Sequence, residues 1–454
     1  MKRTVLTIFV IICLVSCKKQ DRWLDVKSNK ADIVPTTLTD FQALLDNDLI
    51  MNDNYPGLGI LGSDNLFLAL NAWQSGNATE RNSYLWASDI FEGASSADWS
   101  SQYQKVAYAN IVLEGLEKVQ DKTSIAYKTI RASALFYRAF AFYSLAALFS
   151  PPYNSANLAK PGIVLRLGSD VNKTVPRSTV KETYDKIISD LNAALPDLPN
   201  LQTITTKPSK AVVYGLLGRI YLAMGDYPNA YINSNEALKL YSVLINFNTL
   251  NAAATYPFPT FQNKNAEVIF YATAVGYASF IASRIQVTPD IFNEYQIADL
   301  RRSLFYNANV NGTFFRGYYS GRNGYIFSGI ATNELFLIRA EAAARTNRVQ
   351  EAMTDLNNLL KTRWSSSSTY LDLSATNETE ALQHILRERR KEMPFTASLR
   401  WEDLRRLNTD QRFATVLTRQ LNNQTYTLEA NSVKYVYPIP NIEIRINGVE
   451  QNER

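Results

Sequence analysis

Residues 211–240 read AVVYGLLGRIYLAMGDYPNAYINSNEALKL. Val213, Leu217, Ile220 and Met224 follow one another at steps of four and three, so they share one helix face. Gly225-Asp226 breaks that helix, and Ala230, Ala237 and Leu238 face inward on a second one. Two antiparallel helices joined by a tight turn, with small residues at their contact, form a helical hairpin. The same pattern returns in ELFLIRAEAAARTNRVQEAMTDLNNLLKTR, residues 334–363. There Asn347-Arg348-Val349 stands where Gly225-Asp226-Tyr227 stood, and Ala352 takes the place of Ala230.

The first hairpin carries Gly218, Tyr221, Tyr227, Ala230 and Ala237 near the small and aromatic positions of a tetratricopeptide unit. The two copies are 122 residues apart in the chain, whereas a tandem array repeats about every 34. A long insertion must therefore split the helical units. Upstream, RASALFYRAFAFYSLAALF (131–149) has one stripe at Leu135, Ala139, Phe142, Ala146 and Phe149. A second stripe runs beside it at Phe136, Phe140, Tyr143 and Ala147. A helix apolar over most of its girth is buried on several sides, and Pro151-Pro152 ends this one. TVKETYDKIISDLNAAL (179–195) adds another helix, stopped by Pro196. With helices near 99–119 and 124–149, about four hairpins result. The expected fold class is mainly α, its hairpins stacked as a superhelical scaffold.

The insertion, about 246–330, has a different character. It is rich in Asn, Gly, Tyr and Phe and lacks helical periodicity. Residues 305–327 hold eight aromatics: Phe305, Tyr306, Phe314, Phe315, Tyr318, Tyr319, Tyr325 and Phe327. Near the C-terminus VKYVYPIP (433–440) alternates like a short edge strand, limited by Pro438 and Pro440.

The chain of 454 residues is 46% hydrophobic and 20% charged, a composition that buries a large core. It has two Cys and one His. Cys13 and Cys17 both lie at the N-terminus, so the body has no disulfide and no thiolate metal site. A zinc site built from several His is excluded. His384, in LQHILRERRKE, reads as a solvated helix residue, and no G-x-S-x-G elbow accompanies it. The net charge of +5 is mild and scattered, which gives nucleic-acid binding little support.

Lys2-Arg3, a short apolar run from Val5 to Val15 and Leu14-Val-Ser-Cys17 form a signal peptide with a lipobox. The apolar run is too short to span a bilayer, which takes about 20 residues. Residues 1–16 are expected to be removed and Cys17 to be lipidated, with palmitate among its acyl chains. Residues 17–35 then form a tether, and 36–454 a single domain. In that domain the scaffold lies mainly at 99–245 and 331–410.

Together these segments resemble the SusD/RagB family of nutrient-binding outer-membrane lipoproteins of Bacteroidetes. The resemblance rests on the lipobox; ASALFYRAFAFYSLAALFSPPY (132–153); LLGRIYLAMGDYPNA (216–230); AEVIFYA (266–272); ADLRRS (298–303); ELFLIRAEAAAR (334–345); ILRERRKEMPF (385–395); RWEDLRRLN (400–408); and YVYPIPNIEIRIN (435–447). One turn departs from it. Where the family has Glu or Arg and then Gly before R-W-x-D-L, this chain has Thr396-Ala397-Ser398-Leu399. The charges of that motif read as structural, with Arg400, Asp403 and Arg405 tying the last scaffold helix down.

The resemblance implies a surface binding protein and not an enzyme, without cofactor. It would cap a SusC-like TonB-dependent transporter and deliver oligosaccharides, or peptides as RagB-type members do. Lys18-Lys19 after the Cys agrees with an outer-membrane address. Sugar rings suit aromatic platforms with amides nearby, and loops on a rigid scaffold supply them. The candidates are Trp73 in LNAWQSGNATERN, and Tyr318, Tyr319 and Tyr325 in GYYSGRNGY. Asn65, Asn71 and Arg322 are candidate polar partners. Trp86, Trp99, Tyr103, Trp364 and Trp401 read as structural. A surface glycoside hydrolase working through two carboxylates and a helical adaptor that binds only protein remain as other function classes.

Overall fold

The computed structural model describes residues 35–260 and 264–454. The signal peptide, Cys17 and the tether up to residue 34 lie outside the described residues. The scaffold starts with α1 (Leu38–Leu45), α2 (Ala97–Glu117) and α3 (Ile125–Phe149), and continues with α4 (Val180–Ala194), α5 (Lys210–Met224) and α6 (Tyr227–Leu240). It resumes after the insertion with α7 (Thr332–Arg345), α8 (Val349–Lys361), α9 (Glu378–Glu392) and α10 (Leu399–Leu407).

Local sequence sets the helix ends. Thr179 and Glu182 close a capping box at the start of α4, which satisfies two backbone donors reciprocally. Gly225 ends α5 at φ +76, in the left-handed region that glycine enters without steric cost. Asp226 then caps α6 by accepting from the Asn229 N–H. In the second hairpin Asn347 takes the left-handed place at φ +60.

Helix α3 packs between α2 and α4. By length and apolar composition it could cross a membrane, yet its most apolar window is wholly buried in the fold. It carries one charge into the core. Arg138 forms a bidentate pair with Asp190 of α4 at 2.8 and 3.0 Å. Helix α6 lies against α7, so the two hairpins stack although the insertion separates them in sequence. The mainly-α, tetratricopeptide-like architecture is what the periodicity predicts.

The insertion contributes strands too short for periodicity to announce, and one strand from between α1 and α2 joins them. β1 (Leu66–Phe67), β2 (Gln286–Val287), β3 (Tyr306–Asn309) and β4 (Gly312–Phe315) form one antiparallel sheet in the order β1-β2-β4-β3. Leu66, Val287, Tyr306 and Phe315 turn inward and are buried. A hairpin also pairs Leu417–Leu421 with Gln424–Leu428. Its two-residue turn is Asn422-Asn423, both at positive φ, as a type I′ turn requires.

The expected edge strand at 433–440 is not one. Val433–Tyr435 forms a 3₁₀ turn, and the two prolines that follow have no N–H to give a ladder. Tyr435 and Tyr437 instead stack on Trp401, at ring separations of 4.7 and 5.6 Å.

The charged motifs turn inward. Arg301 bonds Asp299, Glu388 and Glu392, and Arg363 bonds Glu267 and Glu392. Asp403 takes Arg389 and Arg406, and Arg406 continues to Glu341. Arg400 clamps Asp64 through two bonds of 2.7 Å. Arg405 caps the C-terminal carbonyls of α3 at Ala147 and Ser150. Burial pushes the Asp299, Glu388, Glu341 and Asp403 carboxyls up, but the adjacent cations outweigh it and hold all four below the usual range. The departing turn before α10 is made by Ala397 in the left-handed region at φ +45, where its N–H reaches the Phe327 carbonyl at 2.8 Å.

Candidate functional site

Strand pleating puts residues 66, 287, 306 and 315 on one side of the sheet and their neighbours on the other. The outer row is Phe67, Gln286, Phe314 and Asn307, each directly opposite the next across the ladder. Phe67 is 38% exposed, Phe314 is half-buried and Asn307 exposed. At the usual interstrand spacing the row spans about 14 Å. Two aromatic faces thus alternate with two amides, of which Asn307 is exposed and Gln286 is buried between the two rings. Gly312, at φ +138, keeps the row clear. A Cβ there would lie 1.9 Å from the Gln286 Oε1.

Sequence reasoning missed this row because its members come from four separate places in the chain. The available signal was Phe67 just ahead of Trp73 in a segment without charge.

The predicted candidates fall into two groups. Trp73, on the short helix Leu70–Gln74, is half-buried and donates its indole N–H to the Arg81 carbonyl at 3.1 Å. Asn71, two residues earlier on the same short helix, is exposed. Tyr325 is 40% exposed, and the exposed Arg322 guanidinium stacks on its ring at 3.8 Å.

Tyr318 and Tyr319 are not surface platforms. They are 1% and 7% exposed, because their rings complete an aromatic core with Tyr256, Phe258, Phe315 and Phe327. The Tyr318 hydroxyl donates to the Phe280 carbonyl at 2.7 Å and that of Tyr319 to Glu267 at 2.8 Å. Asn65 is fully buried as well. It donates to the Pro394 carbonyl and accepts from Arg390. Trp86, Trp99 and Trp401 are buried, as expected.

One loop, residues 277–284, joins the exposed candidates. Glu80, in the helix Ala78–Tyr84 that follows Trp73, accepts from both the N–H and the hydroxyl of Ser279 at 2.8 Å. The Asn323 side chain accepts from the Ala282 N–H at 2.8 Å, and Gly324 packs close to Ile281. Trp73, loop 277–284 and the Arg322–Tyr325 turn are therefore tied into one face that adjoins the sheet. Buried Tyr318 positions that loop from beneath.

Segments 66–77, 246–288 and 306–333 contain a single carboxylate, Glu267, and it is fully buried in its pair with Arg363. No group of three or more His, Cys, Asp or Glu among the described residues could hold a metal. His384 is half-buried on α9, and burial moves its imidazole down.

A cleft of about 760 Å³ lies elsewhere, between Pro151-Pro152, Arg177, Arg405, Tyr435 and Glu450. It shares no residue with the aromatic face. Its Arg177 and Arg405 are held by backbone carbonyls, which closes the end of α3.

Comparison with known proteins gives concordant matches. A family profile described as SusD-like, starch-binding and associating with the outer membrane matches residues 22–222. The SusD family profile matches residues 315–453. SusD-like protein P2 of Formosa agariphila is 27% identical over 231 residues, 49% of this chain and 43% of that protein. The chain thus matches less than half the length of that relative. A SusD superfamily protein from Bacteroides thetaiotaomicron VPI-5482 superposes with a TM-score of 0.75 at 20% identity, over 92% of this chain and all of its own. A SusD-like carbohydrate binding protein from Bacteroides vulgatus ATCC 8482 gives 0.69 at 20% identity, over 91% and 97%.

Proposed function

The chain belongs to the SusD/RagB family, and on that premise we propose that it is a surface lipoprotein that binds nutrient oligosaccharides without transforming them. The observation that carries this reading is the aromatic face. Phe67, Phe314, Trp73 and Tyr325 offer rings, and Asn307 and Asn71 offer exposed amides, beside a rigid helical scaffold. Ring stacking on sugar C–H faces and amide bonds to hydroxyls need no further group. Hydrolysis would need two carboxylates astride the glycosidic bond, and these segments supply none that is free.

In this reading Cys17 is acylated and holds the protein to the outer membrane. Two or more acyl chains give a stable anchor, where one gives a marginal one. The bound glycan passes to a SusC-like TonB-dependent transporter, over which the tethered domain forms a lid. The likeness of both ends of the chain to SusD-type profiles supports that partnership.

The test is calorimetry of the purified lipoprotein against glycan and peptide panels. Phe67→Ala, Trp73→Ala and Tyr325→Ala should each weaken glycan binding by about 1–3 kcal/mol, the cost of truncating an aromatic anchor. Tyr318→Phe, which removes only the hydroxyl bond to the Phe280 carbonyl, should weaken it less than any of the three, through the loop alone. Binding of peptides alone would assign the chain to the RagB-type role. Glycan turnover, or glycan binding indifferent to all three alanines, would overturn the reading.

A further inference from the structure

The binding face is chemically lopsided. The chain carries 42 acidic and 47 basic residues, nearly balanced. Yet segments 66–77, 246–288 and 306–333 hold four cations, Lys264, Arg284, Arg316 and Arg322, against one carboxylate. That carboxylate, Glu267, is spent inside the core on Arg363. Beyond the segments, Asp290 pairs with Arg390 while Glu294 is exposed, and two further acids are turned to the protein. Glu80 accepts from Ser279 and Asn77, and Asp53 accepts from Thr273.

The cations divide in the opposite way. Arg316 is structural, bonded to the Ala252, Ala254 and Ser303 carbonyls. Lys264, Arg284 and Arg322 form no ion pair with any described residue. Arg284 and Arg322 stand on adjoining turns, fastened by the Ala282–Asn323 hydrogen bond. Stacking on Tyr325 holds the Arg322 guanidinium flat beside the most exposed ring of the face.

Neutral sugars present paired hydroxyls, which carboxylates accept well. A face that withholds carboxylates and offers unpaired guanidiniums suits a ligand that brings its own negative charge. A guanidinium fork matches a planar carboxylate or a sulfate oxygen pair, and an unbalanced positive field attracts polyanions.

We propose that the glycan bound at this face is anionic, carrying uronic carboxylates or sulfate esters, and that Arg284 and Arg322 select it. This rests on the glycan-binding reading above and sharpens its substrate class.

The test measures binding of oligogalacturonates, sulfated galactan oligosaccharides, neutral xylo- and malto-oligosaccharides and a poly-glutamate peptide to the purified lipoprotein, at low and high salt. One acidic series should bind about tenfold or more tighter than neutral glycans of equal length, and which one does identifies carboxylate or sulfate. High salt should narrow the gap. Arg322→Gln and Arg284→Gln should each weaken acidic binding about three- to tenfold and leave neutral binding alone, with Arg322→Lys intermediate. Arg322 is exposed and Arg284 half-buried, and neither is in an ion pair with a described residue, so unchanged Tm of both variants is the check that they fold. Equal binding of neutral glycans, or indifference of acidic binding to both glutamines, overturns the anionic assignment and leaves the glycan reading standing. Poly-glutamate binding as tight as the acidic glycans overturns sugar as the class. No glycan binding at all overturns both.

Discussion

Glu392→Gln should be among the most damaging single-atom changes in the protein. Glu392 is wholly buried and sits between two buried guanidiniums. Arg363 reaches it at 3.0 and 2.6 Å, Arg301 at 3.1 Å, and the Asn333 amide at 3.1 Å. The amide keeps the shape but removes the charge and turns an N–H₂ toward donors that need acceptors. Arg363 is left sharing Glu267, and Arg301 falls back on Asp299 and Glu388. Removing one partner of a buried ion pair costs about 3–5 kcal/mol. A domain of about 420 residues has an unfolding entropy near 0.9 kcal/mol/K, so Tm should fall by about 3–6 °C. Differential scanning calorimetry of wild type and variant measures it. Arg363→Met on the Glu392→Gln background removes one stranded cation and should restore part of the loss. A drop under about 1 °C, or a double variant at the sum of the single ones, would refute the view that uncompensated charge is the cause.

Gly312→Ala should act on the ligand face directly. Its Cβ would meet the Gln286 amide at 1.9 Å in a backbone conformation disfavoured for side chains, at about 1–3 kcal/mol; glycan affinity should fall together with Tm, and a change in Tm alone would show that Gln286 takes no part in binding. Lys105 lies wholly buried, its amine donating to the Asp53 carbonyl at 2.8 Å. Desolvation brings it down to about 7. Since the folded value lies below the unfolded one, the unfolded chain binds more protons between about pH 7 and 10.5. Stability from this site therefore rises with pH across that window, by at most about 1.4 kcal/mol per pH unit. Lys105→Met should be more stable than wild type near neutral pH, with the advantage shrinking as pH rises; a gap that does not vary with pH would contradict this.

What the sequence disclosed follows from the range of its signals. Helices α3, α5 and α7 have long periodic faces, so their burial and pairing could be read from spacing alone. The Gly225 and Asn347 turns were equally local. The charges of RWEDLRRLN were legible as structural, whereas those of ILRERRKE read as an amphipathic stretch around a solvated His384, and the fold turns Glu388, Arg389, Lys391 and Glu392 inward.

The proposed ligand face was only half legible. Trp73, Tyr325 and Arg322 stand in polar turns, and the fold leaves them at the surface. Tyr318 and Tyr319 stand in the same turn, and the fold takes them inward, since a glycine-rich stretch says nothing about which side of it meets the core. The row through Phe67, Gln286, Phe314 and Asn307 depends on pairing between strands of two and four residues. No local pattern encodes that. The Asn422-Asn423 hairpin turn, by contrast, was a local signal available to be read.

The pleat of the four-stranded sheet separates two demands on adjacent residues. Leu66, Val287, Tyr306 and Phe315 answer to the core, while Phe67, Phe314 and Asn307 on the other side are free of it, and only Gln286 in that row is buried. Substitution on the outer row can then change what is captured at little risk to folding, since surface changes mostly stay within about 0.5 kcal/mol. A scaffold so divided can be retuned from one polymer to another in single steps, without an unstable intermediate sequence between them.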